Sequence, residues 1–260
     1  MTLEFLPARV RRWMDKWWYG EPAAEDTVAV LDTVSTALWL AGLTPAQLLA
    51  THQHQRDGRQ TTPNDCAVVS MAMVIHQALL LAGYHRVHVP YPDLARAMDL
   101  APFFGLGFYR VPFVGAVPPG RAAAALRCLA RAFVAHGYPR PWRVKVQGRL
   151  RLADLVERLR LGHPTILYGV WPDGMPHAVV LAGYDPLTDQ WYLLDPGYPL
   201  PYRPQPMFAR WPTATLLDWW GRRYFAYQRY TAVWLSDIPR PHLVAEAEPV
   251  PQPLPLAPAA

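Results

Sequence analysis

The sequence predicts an α+β fold in which a helical half packs against a mostly antiparallel β-sheet, with a cleft between them. Three observations predict it. The run from Ala67 to Leu81 is almost wholly apolar, too long for a strand, and closed by Gly83, as a buried helix would be. The second half holds short strand-like runs, Thr165–Val170, Met175–Tyr184, Trp191–Leu194 and Thr231–Leu235, with a turn at Asp185–Asp189 joining the middle two. The balance of 52% hydrophobic and 17% charged residues is that of a globular protein, and 260 residues suffice for one large domain with an appendage.

Taken in order, residues 2–19 put Leu3, Leu6, Val10, Trp13 and Trp17 at helical spacing, with Arg9, Arg11, Arg12 and Lys16 between them. The preferred reading is a helix laid on the domain by its Trp face; contact of residues 2–19 with a membrane surface is the sharper alternative. A second helix is expected over Thr27–Leu40 and a third from Thr44 to Ala50, with Pro45 at its first position. Together these form a helical extension, residues 1–55, ahead of a main domain at 56–238. Pro63 then ends the preceding structure, and Asn64 or Asp65 can cap the buried helix.

A short helix is expected over Pro92–Asp99. The apolar loop Phe103–Tyr109 follows, and its Phe104 and Gly105 could line a groove or simply cover the core. It lacks the strand–loop–helix setting of a nucleotide loop. A helix over Arg121–His136 stops at Gly137, a strand follows over Trp142–Val146, and a helix over Leu152–Leu161 stops at Gly162. Asp173-Gly174 marks a tight turn beside which Trp171 and Met175 are candidate groove walls. Six prolines between Pro196 and Pro212 predict extended chain over the surface. A short helix is expected over Thr213–Trp220, and residues 239–260 read as a disordered Pro/Ala-rich tail.

The chemistry-bearing residues stand out against this frame. Cys66 falls at the N-terminal tip of the core helix, where the dipole favours negative charge and hence the thiolate, the reactive form of cysteine. Gln60 lies six residues earlier, close enough in a folded-back loop to bring an amide donor beside the sulfur. A nucleophile with such a donor is half of an acyl-transfer site. His177 is the polar intruder at the start of one strand, and Asp195 ends the next. An antiparallel hairpin brings those two positions to the same end of the sheet.

Gln60-x5-Cys66 with Asp65 before the Cys, Gly162-His163-Pro164-Thr165-Ile166, His177-Ala178-Val179-Val180-Leu181 with Gly183-Tyr184-Asp185, and Asp195-Pro196 resemble the bacteriocin-processing cysteine peptidases. Those enzymes have a papain-like fold and cut leader peptides after a double glycine. The resemblance runs over about residues 60–197. It implies a papain-like cysteine peptidase whose active-site cleft holds Cys66 as nucleophile, His177 as general base, Asp195 as its orienter and Gln60 as an oxyanion-hole donor. The substrate would be a peptide or protein, with no cofactor. The glycine that commonly follows the nucleophile in that family is Ala67 here, and no transporter segments follow. A transglutaminase-like or amide-transferring enzyme, a non-catalytic peptide-binding module and a purely structural domain are the rival readings.

Other classes are poorly supported. The net charge of +5 comes mostly from Arg, without a basic run interleaved with aromatics, so nucleic acid is not an expected partner. Two cysteines make no disulfide framework, and Cys128 reads as a small core residue of an alanine-rich helix. A Cys66–Cys128 disulfide is the bland alternative for both. His52 with His54, and His85 with His88, lack nearby acidic or Cys ligands at metal spacing and read as surface histidines, so no metal is expected. No signal peptide is evident, and the window Val28–Leu43 is interrupted by Asp32 and too short to span a bilayer, which leaves the cytoplasm as the default location.

Overall fold

The computed structural model describes residues 37–53, 65–85, 89–91, 94, 117–135, 141–197, 208–223 and 229–240. Within these, the strands are β1 (Leu38–Trp39), β2 (Arg143–Gln147), β3 (Thr165–Val170), β4 (Pro176–Asp185), β5 (Gln190–Leu194), β6 (Ala209–Pro212) and β7 (Thr231–Ser236). The helices are α1 (Pro45–Ala50), α2 (Cys66–Leu81), α3 (Pro119–Ala135), α4 (Leu152–Arg160) and α5 (Thr213–Trp220). The chain is thus α+β. The strands form one sheet in the order β2-β7-β3-β4-β5-β6, with β1 added against β4, and every pairing is antiparallel.

α2 is the centre of the helical half. Apart from Leu80 all its residues are buried, the state that a helix apolar on every face requires. It packs on β4 and β3 and touches α3. The helix begins at Cys66 itself. Asp65, one of the two residues expected to cap the helix, occupies the N-cap position and its side chain makes no capping hydrogen bond; Asn64, the other, lies outside the described residues. Gly83 ends the segment in the left-handed region at φ 88°.

The central strands are covered on both faces, so β3 and β4 read as continuous apolar runs rather than alternating ones. In β2, at one end of the sheet, only Val144 is buried. α1 starts as its sequence requires. The Thr44 hydroxyl accepts from the Gln47 N–H, the Gln47 side chain accepts from the Thr44 N–H, and Pro45 needs no partner.

Three expectations are corrected. Leu38–Trp39 is a strand, not the end of a helix over Thr27–Leu40; residues 27–36 of that expected helix lie outside the described residues. The ladder of β3 stops at Thr165, opposite Leu181, which leaves the rest of β4 without a partner on that side. β1 fills that edge, with Leu38 opposite Tyr184 and Trp39 opposite Gly183, and the Leu40 N–H then donates to the Ala182 carbonyl. The second correction is β6. Ala209–Pro212 joins the sheet against β5 with Trp191 opposite Trp211, and Pro212 terminates it at the edge, where a missing donor is tolerated. The third concerns the C-terminal side. Arg240, expected in a disordered tail, donates from Nη2 to the Leu161 carbonyl and lies against Gly42 and Gly162.

The expected helices at 2–19 and over most of Pro92–Asp99 lie outside the described residues, although Leu94 is helical and buried. Among the described residues no helix is long and apolar enough to cross a membrane.

Candidate active site

Cys66, His177 and Asp195 come together where the start of α2 meets one end of the β4–β5 hairpin. Cys66 is the first residue of α2 and is 5% exposed. One turn on, the Ser70 hydroxyl donates to the Ala178 carbonyl at 3.3 Å, which fastens the start of the helix to the strand beside His177. His177 is the second residue of β4, and Asp195 follows β5 directly. The turn between β3 and β4 is closed by Trp171 N–H to the Met175 carbonyl and by Gly174 at φ 87°.

The imidazole Nε2 of His177 lies 2.7 Å from Asp195 Oδ1, a charge-assisted distance. The same carboxylate oxygen accepts the Gly197 N–H at 2.8 Å, so the Asp195-Pro196-Gly197 turn orients it. With Nε2 engaged, Nδ1 is the nitrogen left for the thiol, and Cys66 is a hydrogen-bond partner of the ring. Cys66 and Cys128 are both free thiols, which removes the disulfide reading.

Burial acts against a charged His177, but the Asp195 carboxylate, with Cys66 assisting, outweighs it and raises the imidazole to about 10. For Asp195 burial pushes the carboxyl up, while His177, the Gly197 N–H and His52 hold it below its ordinary value. The arrangement therefore favours an imidazolium–carboxylate pair in a dry setting.

A cluster of aromatic rings lies on one side of His177. Trp171, half-buried, stacks near His177 with ring centres 6.2 Å apart. Trp211 meets Trp171 edge-on at 5.1 Å, and Trp219 lies 6.1 Å from Trp171. Of the four residues expected to line a groove, Trp171 lies beside the His177 ring. Met175 is half-buried at the same turn, two residues before His177. Gln60, Phe104 and Gly105 lie outside the described residues, as do His54 and His88.

Sequence reasoning missed His52, Trp211 and Trp219. His52, read as a surface residue, is half-buried, and its Nε2 lies 3.0 Å from the Asp195 carbonyl oxygen. Its partner is 143 residues away in the chain, so no local pattern signals it. Two further Trp residues on a proline-punctuated strand and the next helix were the available sign of an aromatic cluster. Among the described residues no group of three or more His, Cys, Asp or Glu could hold a metal ion.

No protein-family model matches the chain, and neither does any curated protein. Among solved structures it is similar to a Bacillus anthracis protein described as a C39-like peptidase, with 15% identity and a TM-score of 0.48 over 78% of this chain and 99% of that one. It is also similar to the peptidase domain of Streptococcus ComA, described as a bifunctional ABC transporter of a quorum-sensing pathway, with 14% identity and a TM-score of 0.42 over 70% of this chain and 96% of that one.

Proposed function

We propose that this chain is a cysteine peptidase-like hydrolase of papain-like arrangement that cleaves a peptide or amide bond with Cys66, His177 and Asp195. The observation that carries the reading is the hydrogen-bonded series of thiol, imidazole and carboxylate at the junction of helix and sheet. A purely structural role has no need of a buried imidazole held between a carboxylate and a free thiol.

In the proposed reaction the thiol proton resides on His177, whose imidazolium Asp195 favours, and the Cys66 thiolate attacks the substrate carbonyl carbon. The oxyanion that forms is met by the Cys66 backbone N–H at the helix start and by the Gln60 side-chain amide. The imidazolium gives its proton to the leaving amine as the C–N bond breaks, leaving an acyl-thioester. His177 then takes a proton from water, which attacks the thioester, and the acid is released with the thiol restored. Asp195 holds the ring orientation and stabilises the imidazolium throughout. Trp171 and Met175, with Phe104 and Gly105, would form the walls that receive the peptide.

Mass-spectrometric labelling of the native protein with iodoacetamide near neutral pH tests this. Cys66 is expected to alkylate about 10- to 100-fold faster than Cys128, as an activated thiolate does beside a buried structural one. Cys66→Ala should fold and lose all turnover of a cleavable peptide. Equal, slow labelling of the two thiols in the folded protein sinks the proposal. A new amide in place of a free acid, when an amine is supplied, would reassign the enzyme from hydrolysis to transfer.

A further inference from the structure

We infer that His52 is a positioning residue of this site: its Nε2–H donates to the Asp195 carbonyl and fixes the peptide unit that carries the carboxylate. The inference rests on the Cys66–His177–Asp195 reading and extends it to a part of the chain outside the motif-bearing stretch. A carbonyl oxygen only accepts, so the 3.0 Å contact assigns the proton to Nε2 of His52.

The location explains why such a donor is needed. Asp195 lies one residue past the last β4–β5 ladder pair, Val180 with Leu194, and the next residue, Pro196, has no N–H to extend a ladder. The carboxylate end is held by His177 and the Gly197 N–H. The main-chain end is held by His52. With both ends fixed, Asp195 cannot rotate away from the imidazole without breaking a hydrogen bond.

His52 is itself held on both sides. The Thr51 hydroxyl donates to the Leu48 carbonyl at 2.7 Å and accepts from Gln77 Nε2 of α2 at 3.2 Å. Gln53 donates from Nε2 to the Val89 carbonyl at 2.9 Å and accepts the Tyr91 N–H at 2.7 Å. Thr51, Gln53 and Gln77 are all buried. Three consecutive side chains thus tie one short segment to α2, to the candidate site and to the 89–91 stretch. The same α2 that Thr51 grips carries Cys66, so the segment joins the nucleophile's helix to the residue that orients the base. When His52 is protonated, its charge also favours the ionised Asp195.

The test uses the full chain and two substitutions. In His52→Gln the amide nitrogen falls near the original Nε2 and keeps a donor; His52→Leu keeps bulk and loses it. His52→Leu is expected to slow Cys66 alkylation by iodoacetamide about 10- to 100-fold, the scale of a small misplacement in a catalytic constellation. His52→Gln should restore most of the rate, with Cys128 labelling unchanged in both. The downfield proton resonance of the His177 ring N–H, donated to Asp195, should shift or broaden in His52→Leu and return in His52→Gln. Wild-type rates and an unchanged resonance in both variants would overturn the role of His52 alone. Equal losses in both variants, with matching falls in Tm, would assign it to packing and also overturn the inference. Cys66 labelling no faster than Cys128 in the wild type, and untouched by Asp195→Ala, would bring down the underlying site as well.

Discussion

At His177 two electrostatic effects oppose each other: burial disfavours the imidazolium, and a carboxylate at 2.7 Å favours it and prevails. The consequence for stability follows from linkage. Below the ordinary histidine value of 6.5 the ring is protonated in both folded and unfolded chains, and the pair contributes in full. Between 6.5 and about 10 only the folded chain keeps the proton, so stability falls as pH rises and the contribution is gone above that window. Asp195 has the opposite sense: its contribution is whole above the ordinary carboxyl value of 3.8 and is lost as pH falls through its lowered value. The urea midpoint should therefore be higher at pH 6 than at pH 9, and His177→Gln should flatten that decline. Parallel pH profiles for wild type and His177→Gln would mean that the imidazole is not charged in the fold. The proximity of His177 and Asp195 could be read from the sequence because an antiparallel hairpin brings the start of one strand beside the end of the next. His52 could not, since a histidine in a polar stretch carries no mark of a distant carbonyl.

Among the elements, β3 depends on one residue without a side chain. Gly169 pairs with His177, and a Cβ there would run into the Trp219 ring and fall 2.7 Å from the Trp219 carbonyl oxygen. Backbone on one side leaves little room to yield. Gly169→Ala is expected to cost about 1–3 kcal/mol as overpacking, read as a fall in Tm. Because Trp219 lies against Trp171, which stacks on His177, the same change should slow Cys66 alkylation. An unchanged Tm would mean that α5 shifts freely over β3. The neighbouring elements show where sequence was sufficient. Thr165–Val170 and Thr213–Trp220 match their expected bounds, since a buried β-rich run ending in a turn and an apolar run ending at Gly221 are local signals. β1 was not legible: Leu38 and Trp39 continue an apolar helical pattern, and only the open edge of β4 makes them a strand. Nor was β6, where prolines suggested unpaired chain and one of them instead closes a short edge strand.

At the scale of the whole molecule, residues 37–53 do more than precede the motif-bearing part. They supply β1, α1 and the buried side chains Leu40, Leu43 and Leu48 to the same core as α2 and the sheet. At about 1.5–3 kcal/mol for each buried leucine, their loss alone approaches the roughly 5–15 kcal/mol that stabilises a typical domain. Removing them also leaves the buried Gln77 amide without Thr51, the edge of β4 without Leu38–Trp39, and the Asp195 carbonyl without His52. A fragment beginning at residue 56 should fail to unfold cooperatively in urea and should lose the rapid labelling of Cys66. Cooperative unfolding like that of the full chain would refute this. The two ends of the sheet carry a different consequence. β2, paired only with β7 among the described residues, bears the exposed charges of Arg143 and Lys145, and β6 is four residues long and ends in Pro212. A second molecule's strand adding to β2 would have to desolvate those charges, and one adding to β6 would find little ladder to extend. Aggregation by edge pairing is therefore opposed by charge on one side and by brevity on the other.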